Sequence, residues 1–178
     1  MIKKVVIIGG PSTGKSAIVN ELMARGFSCF EEVSRQVTLN AQKQGISQLF
    51  LEDPLLFSDL LLKGRQQQYN DALKLTDELV FFDRGIPDVV AYMDFIGTDY
   101  PKYFSDACKN AVYDAVFMLK PWKAIYTTDN ERYESFEQAL EIHENLTKTY
   151  EKYNYTLIDV PFDSVTHRTD FILNTLGL

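Results

Sequence analysis

Residues 5–16 read VVIIGGPSTGKS, and this stretch decides the fold class. The run from Val5 to Ile8 is β-branched throughout, which is typical of a central parallel strand covered on both faces. The next eight residues match the pattern G-x-x-x-x-G-K-[ST] at every fixed position. They are Gly9, Gly10, Pro11, Ser12, Thr13, Gly14, Lys15 and Ser16. The stretch therefore predicts a strand, a phosphate-binding loop and a following helix.

The predicted loop contains the residue types that phosphate binding requires. Glycines let the backbone curl so that several N–H groups point at one anion, a geometry that Cβ atoms would obstruct. The helix after the loop presents its positively polarised end to the phosphates. We expect residues 9–16 to bind ATP or GTP, with Lys15 at the β- and γ-phosphates and the Ser16 hydroxyl on Mg²⁺.

Outside this stretch, predicted strands alternate with predicted helices. Further strands are predicted at residues 27–31, 79–82, 115–119 and 155–159, and helices at residues 17–25, 33–44, 54–75, 85–96 and 103–112, with two more after residues 135 and 163. This order implies an α/β domain of three layers, the P-loop NTPase fold, with a mostly parallel sheet of about five strands. Because we find no repeat and no linker, residues 1–178 are predicted to form one domain.

Cap residues mark the predicted starts of three helices. Asp53 is placed as an N-cap before Pro54, and Ser135 with Gln138 forms a capping box. Asp163 is predicted to cap the last helix, which continues to residue 176. The helix after Ser135 has an apolar inner face, and His143 on it is interpreted as a core histidine. That face consists of Phe136, Ala139, His143, Leu146 and Tyr150.

A second apolar strand ends in a carboxylate. Residues 79–83 read LVFFD, the arrangement of a Walker-B aspartate, and Asp83 could bind Mg²⁺ or accept a proton. Arg84 follows it, where a motor ATPase usually has glutamate, and the N-K-x-D motif of switch GTPases does not occur in the sequence. An Asp-Arg pair here resembles P-loop kinases of small molecules, in which the arginine helps to neutralise the transferring phosphoryl group.

Further side chains are weighed between a functional and a structural role. Glu32 and Arg35 follow the second predicted strand and would bind the acceptor, unless they form only a surface ion pair. Arg132 lies where such kinases carry a mobile lid, and it would stabilise transition-state charge unless it is a solvated loop residue. Arg65 is interpreted as a solvated helix charge and Trp122 as a packing residue, with acceptor binding and base stacking as their alternatives.

Composition argues against several classes of function. The formal net charge is −7, from 18 basic and 25 acidic residues, so a general nucleic-acid binder is not expected. The same charge disfavours membrane lipid as a partner, although it does not exclude it. Cys29 and Cys108 form no metal-ligand or C-x-x-C pattern, which suggests a reducing compartment. Since no signal peptide or membrane span is recognised, we expect a cytoplasmic protein.

With these motifs, the chain resembles a family of small P-loop ATPase- and kinase-like domains that is often labelled the AAA domain. The family includes the ribosylnicotinamide-kinase domain of bacterial NAD regulators and a eukaryotic trafficking protein that binds GTP and phosphoinositides. The resemblance implies a nucleotide-binding, doubly wound fold and terminal-phosphate transfer as one established activity. The similar segments are residues 9–16, 32–35 (EVSR), 82–88 (FDRGIPD), 120–122 (KPW), 131–134 (ERYE) and 158–161 (IDVP).

Two functions remain open at this point. The first is Mg²⁺-dependent transfer of the terminal phosphate of ATP or GTP to a small hydroxyl acceptor, with Lys15, Asp83, Arg84 and Arg132 as catalytic residues and Ser16 and Asp83 as metal ligands. The second is a module in which bound nucleotide controls binding to a protein or a lipid headgroup. The fold hosts both kinds of protein, so fold analogy does not choose between them.

Overall fold

The computed structural model describes residues 2–127 and 134–178 of the chain. In these residues five strands form one parallel sheet in the order β2-β3-β1-β4-β5. The predicted α/β fold with a mostly parallel sheet of about five strands is confirmed. The strands are β1 Lys3–Gly9, β2 Ser28–Phe30, β3 Leu79–Asp83, β4 Ala115–Leu119 and β5 Leu157–Asp159.

Helices connect the strands and cover both faces of the sheet. They are α1 Lys15–Ala24, α2 Val33–Lys43, α3 Leu49–Glu52, α4 Pro54–Ala72, α5 Pro87–Ile96, α6 Lys102–Asn110, α7 Phe136–Lys152 and α8 Val165–Leu176. The short helix α3 was not predicted, and neither was a 3₁₀ turn, Lys123–Ile125, which lies after β4. In the part of the chain that the structure describes, no helix is both long and apolar enough to cross a membrane.

The cap residues are as predicted at two helices and different at the third. Asp53 accepts a hydrogen bond from the Leu56 N–H, and both bonds of the Ser135–Gln138 capping box are present. The cap of α8 is Ser164 and not Asp163, because the Ser164 hydroxyl accepts the N–H of His167. The Asp163 carboxylate instead accepts a hydrogen bond from the N–H of Ser164, the residue directly before the helix.

The strand β1 lies in the centre of the sheet, and its apolar residues alternate between two cores. Val6 and Ile8 pack in a cluster that includes Leu146 and Tyr150 of α7. Val5 and Ile7 belong to the opposite cluster, which includes Ile18 and Leu22 of α1 and Ile172 of α8. All four strand residues are fully buried, which explains why the run is β-branched and apolar without alternation. Helices on both faces give the three predicted layers.

The strand order predicts a ligand-binding crevice at the carboxyl end of β1. The chain leaves β1 through the phosphate loop, and β3 and β4 flank β1 on its two sides. In such open parallel sheets, ligands bind outside the carboxyl ends of the strands where the winding direction reverses. The register pairs Ile7 with Asp83 and Gly9 with Leu119, so the loop and the predicted Walker-B aspartate emerge at this same point.

Candidate functional site

The phosphate loop has the backbone conformation that its glycines allow. Gly14 has φ 88°, and Ser12 is one of the few non-glycine residues with positive φ, at 54°. A Cβ atom on Gly9 would lie 2.6 Å from the carbonyl oxygen of Leu119, so only glycine fits beside β4. The buried Thr13 hydroxyl donates to the Gly10 carbonyl at 3.0 Å. The loop is therefore held by its own side chains and by the neighbouring strand.

Lys15 is buried at the start of α1, with 7% of its surface exposed. Its Nζ donates to the carbonyl oxygens of Gly9 at 2.8 Å and Gly10 at 2.7 Å. Burial lowers the pKa of Lys15 to about 7, the positive charge of Arg84 lowers it further, and the carboxylates of the site offset only part of this. The ammonium group therefore has hydrogen bonds but incomplete charge compensation, and a bound phosphate would supply the missing negative charge.

Asp83 stands at the end of β3 and is 4% exposed. Its Oδ1 is buried without a hydrogen-bond partner among the described residues. Burial raises the pKa of Asp83, and the neighbouring Lys15 and Arg84 offset this only in part. An unpartnered carboxylate oxygen at this position can accept a hydroxyl proton or ligate a cation.

The donor set fits the predicted Mg²⁺. Hard carboxylate and hydroxyl oxygens suit this ion, and it is usually bound through one or two protein groups together with substrate phosphates. Asp83 supplies the unpartnered oxygen, and Ser16 is exposed in the first turn of α1. The described part of the chain contains no group of three or more His, Cys, Asp or Glu residues that could hold a metal by itself. Phosphate oxygens and water would complete the coordination.

Arg84 links the phosphate loop to the opposite wall of the crevice. Its backbone has φ 72°, an uncommon conformation for a residue with a side chain, and its N–H donates to Ile7 at 3.0 Å. From there the guanidinium donates through Nη1 to the Gly9 carbonyl at 3.0 Å and through Nε to Glu32 Oε2. The same Nη1 contacts Asp88 Oδ1 at 3.3 Å. A cation is thus fixed directly beside the loop.

Glu32 is held between two arginines. Besides Arg84, Arg65 of α4 donates to it through Nη2 at 3.1 Å and to the Gly85 carbonyl through Nη1 at 3.0 Å. Burial would raise the pKa of Glu32, but the two guanidinium groups overcome this and lower it to about 2. The carboxylate is therefore ionised throughout the physiological range. Glu32 is thus a half-buried carboxylate that forms ion pairs with two arginines beside the end of β3.

The interpretation of Arg65 as a solvated helix charge is wrong. Its side chain is 4% exposed and bonds to two residues of the site. The missed signal is Gly64, because a Cβ at this position would lie 2.5 Å from Val33 Cγ1. The absence of a side chain lets α2 and α4 approach closely, and this brings Glu32 next to Arg65.

We expect Gly64→Ala to separate these two helices. The stiff β-branched Val33 cannot move away easily, so overpacking should cost about 1–3 kcal/mol, against a gain of about 1 kcal/mol in helix propensity. Urea unfolding should show a net loss of stability, while Gln66→Ala, at an exposed position of the same helix, should show none. If Gly64→Ala were as stable as Gln66→Ala, the close approach would not be a constraint on the site.

The other predicted residues have mixed outcomes. Arg35 is exposed on the first turn of α2, and Arg132 lies outside the described residues. The interpretation of Trp122 as a packing residue is confirmed, because its ring stacks on Phe162 with centroids 5.2 Å apart. His143 is half-buried on α7, and burial lowers its pKa.

Sequence reasoning did not assign Asp88 or Arg168 to the site, although both contact it. Asp88 accepts hydrogen bonds from the Gly85 N–H at 3.0 Å and from the hydroxyl of the buried Tyr150 at 2.5 Å. These bonds connect the segment after β3 to α7. Arg168 of α8 donates to the Thr13 carbonyl of the phosphate loop at 3.0 Å. The one available signal for Arg168 was its place in the first turn of a helix that follows a strand of the same sheet.

The sequence profile of the AAA domain matches residues 4–168 of the chain. This range contains every site residue named above. A search of curated protein sequences found no match.

Solved structures share the fold at low sequence identity. Deoxyadenosine kinase from M. mycoides, solved with dCMP and dCDP, superposes with a TM-score of 0.74 at 19% identity, over 98% of each chain. The NadR protein in complex with NR gives a TM-score of 0.74 at 18% identity, over 99% of this chain and 52% of the other. Thymidylate kinase from Candida albicans gives 0.64 at 13% identity, over 99% and 91%.

Proposed function

The chain belongs to the AAA-domain family, and on that premise we propose that it transfers the terminal phosphate of ATP or GTP to the hydroxyl group of a small acceptor. The observation that carries this proposal is the convergence of four charged groups at the carboxyl ends of β1, β2 and β3. Lys15 and Arg84 both contact the Gly9 carbonyl, Glu32 pairs with Arg84, and Asp83 lies buried at the end of β3.

The donor nucleotide would bind at residues 9–16. The loop N–H groups and the start of α1 would hold its phosphates, and Lys15 would bind the β- and γ-phosphates. Mg²⁺, held by Ser16 and Asp83, would supply charge neutralisation on the phosphate oxygens. Arg84 already lies beside the loop and would balance charge that develops on the transferring group. Arg132 is proposed as a lid residue with the same task.

The acceptor would bind on the β2–β3 side of the loop. Asp83 would orient its hydroxyl group and accept the proton, a role that its buried and unpartnered oxygen supports. Glu32 is held ionised by Arg65 and Arg84 and would accept a hydrogen bond from the acceptor. Arg35 is proposed to contribute from the same helix. Because two of the structural neighbours are named as kinases, one of a nucleoside and one of a nucleotide, a nucleoside-like acceptor is the first class to test.

The direct test is a transfer assay with purified protein. ATP and GTP labelled at the terminal phosphate are incubated with Mg²⁺ and a panel of nucleosides, nucleoside monophosphates and simple alcohols, and the products are separated by chromatography. A labelled small-molecule product would establish the activity, the acceptor class and the preferred donor. Tight nucleotide binding without transfer or hydrolysis would refute the kinase proposal and favour a nucleotide-gated binding module. For either function, the proposed location is the cytoplasm.

We expect the protein to take up a proton when it binds nucleotide at pH 8. With a pKa of about 7, Lys15 is only about one-tenth charged at pH 8, and a bound polyphosphate raises that pKa because the opposite charge favours the ammonium form. Calorimetric titration at pH 8 in two buffers of different ionisation enthalpy should therefore show uptake of close to one proton. At pH 6 the uptake should be near zero.

Lys15→Arg is the control for this linkage. A guanidinium stays charged at both pH values, so any proton uptake that remains in this variant does not come from residue 15. Equal uptake in the wild type and in Lys15→Arg would contradict the assignment of the proton to Lys15.

A further inference from the structure

Arg168 is a buried cation beneath the phosphate loop. It lies in the first turn of α8 and is 2% exposed. Its Nη2 donates to the carbonyl oxygen of Thr13 at 3.0 Å. Its Nη1 would be 2.8 Å from a Cβ atom on Gly14, so the guanidinium packs directly against the backbone of the loop. Its other face lies over the Trp122 ring, 5.8 Å from the centroid.

Charge pairing within the described residues does not account for the burial of Arg168. Among residues 2–127 and 134–178 no carboxylate forms a salt bridge with Arg168, and its buried Nε has no hydrogen-bond partner. Burial alone lowers its pKa. By contrast, Arg65 and Arg84 are both paired with Glu32. Burying an arginine without a counter-charge is unfavourable, so its position needs a different explanation.

The bond to Thr13 acts on a peptide unit of the loop. The carbonyl of Thr13 and the N–H of Gly14 belong to the same peptide group, and the Gly14 N–H is one of the donors that a loop of this type offers to phosphate. A charged donor on the carbonyl fixes the plane of that peptide and polarises its N–H. It also places a further positive charge, besides Lys15 and Arg84, close to the anion site.

We propose that Arg168 is a positioning residue of the phosphate loop, which orients the Thr13–Gly14 peptide and draws the polyphosphate of the nucleotide toward the loop. The role rests on the proposed nucleotide binding at residues 9–16 and extends it to a helix that follows β5. The Trp122 ring, which itself stacks on Phe162, lies against the guanidinium. The bound polyphosphate supplies the negative charge that the described residues do not.

The test compares Arg168→Met, Arg168→Lys and Arg25→Met by calorimetric titration with Mg-ATP and with inorganic tripolyphosphate. Arg25 is the control, because it pairs with Asp170 of α8 at the end of α1 that is remote from the phosphate loop. Arg168→Met should weaken the binding of both ligands by the same factor, about 10- to 100-fold, since a charged hydrogen bond is lost. Arg168→Lys should recover part of the affinity, and Arg25→Met should bind like the wild type.

Thermal unfolding without ligand separates this role from a structural one. Arg168→Met is expected to melt at the wild-type temperature or above it, because the uncompensated charge is removed and the volume is nearly kept. A lower melting temperature together with unchanged affinity would overturn the proposal. A loss confined to ATP, with tripolyphosphate unaffected, would place Arg168 at the base and also overturn it. A wild-type protein that binds neither ligand would instead refute the proposed function itself.

Discussion

Lys15→Ala is expected to abolish phosphate transfer and to weaken nucleotide binding more than any other single substitution. The ammonium group is the charge nearest to the backbone carbonyls of the loop, and its removal leaves the β- and γ-phosphates without their main cation. Loss of one preorganised charge contact in a site of this kind costs about 10²–10³ in turnover. We expect at least that loss in the transfer assay, and a loss of similar size in ATP affinity.

The stability of this variant is expected to move in the opposite direction. The pKa of Lys15 is lowered in the folded state, so between about pH 7 and the unfolded value of 10.5 the unfolded chain binds more protons, and wild-type stability rises with pH. Below about pH 7 the folded protein carries the full cost of the buried charge. Lys15→Ala lacks that cost, so its advantage in melting temperature should be largest at low pH and should disappear toward pH 10.

Lys4→Ala is the matched control for Lys15→Ala. Lys4 is the other buried lysine of the same segment, but it lies at the amino end of β1 and is paired with Asp114. Its removal should reduce stability and leave nucleotide affinity intact. If Lys15→Ala bound and turned over nucleotide like the wild type, the assignment of the phosphate site would fail.

Asp83→Asn is expected to reduce turnover by about 10²–10⁴, the range for loss of a positioned proton acceptor, with a smaller effect on ATP affinity. Asparagine keeps the size of the side chain but removes the charge that would accept the proton and bind Mg²⁺. The two effects are measured separately, as kcat in the transfer assay and as Kd by titration. Wild-type kcat in Asp83→Asn would refute the role of Asp83.

The same substitution should stabilise the fold at neutral pH. Because the pKa of Asp83 is raised in the folded state, the folded protein binds more protons than the unfolded chain, and stability is lost as the pH rises through the folded pKa. The amide side chain of the variant does not titrate and is not subject to this loss, so Asp83→Asn should melt at a higher temperature than the wild type at pH 7. Asp77→Asn is the control, because Asp77 is an exposed acid just before the same strand. It should change neither kcat nor the melting temperature.

Lys15→Ala, Asp83→Asn and Arg168→Met are each expected to weaken function while stability is kept or increased, and one cause explains all three. Lys15, Asp83 and Arg168 are buried charged groups whose compensation among the described residues is incomplete. Each is costly in the folded protein and each faces the proposed nucleotide site. Such costs persist at functional sites because the ligand, and not the fold, supplies the missing partner.

The sequence by itself determined the sheet, the phosphate loop and the Asp83-Arg84 pair. These features are local, because a β-branched run forms a buried strand wherever helices cover both faces, and a glycine pattern specifies a loop within eight residues. Parallel strands also share one carboxyl edge, so Asp83 could be placed beside the loop before any contact was known. The confirmed order of strands and helices depends on the same short-range patterns.

Only the tertiary structure decided which other charges belong to the site. The Arg65–Glu32 bond joins residues 33 positions apart, the Tyr150–Asp88 bond 62, and the Arg168–Thr13 bond 155. Whether a helix arginine is solvated or buried depends on the packing of its helix against others, and a neighbour such as Gly64 does not by itself say which helix packs there. For this reason Arg65 was misjudged and Arg168 was overlooked, whereas the loop was recognised, because its pattern lies within eight consecutive residues.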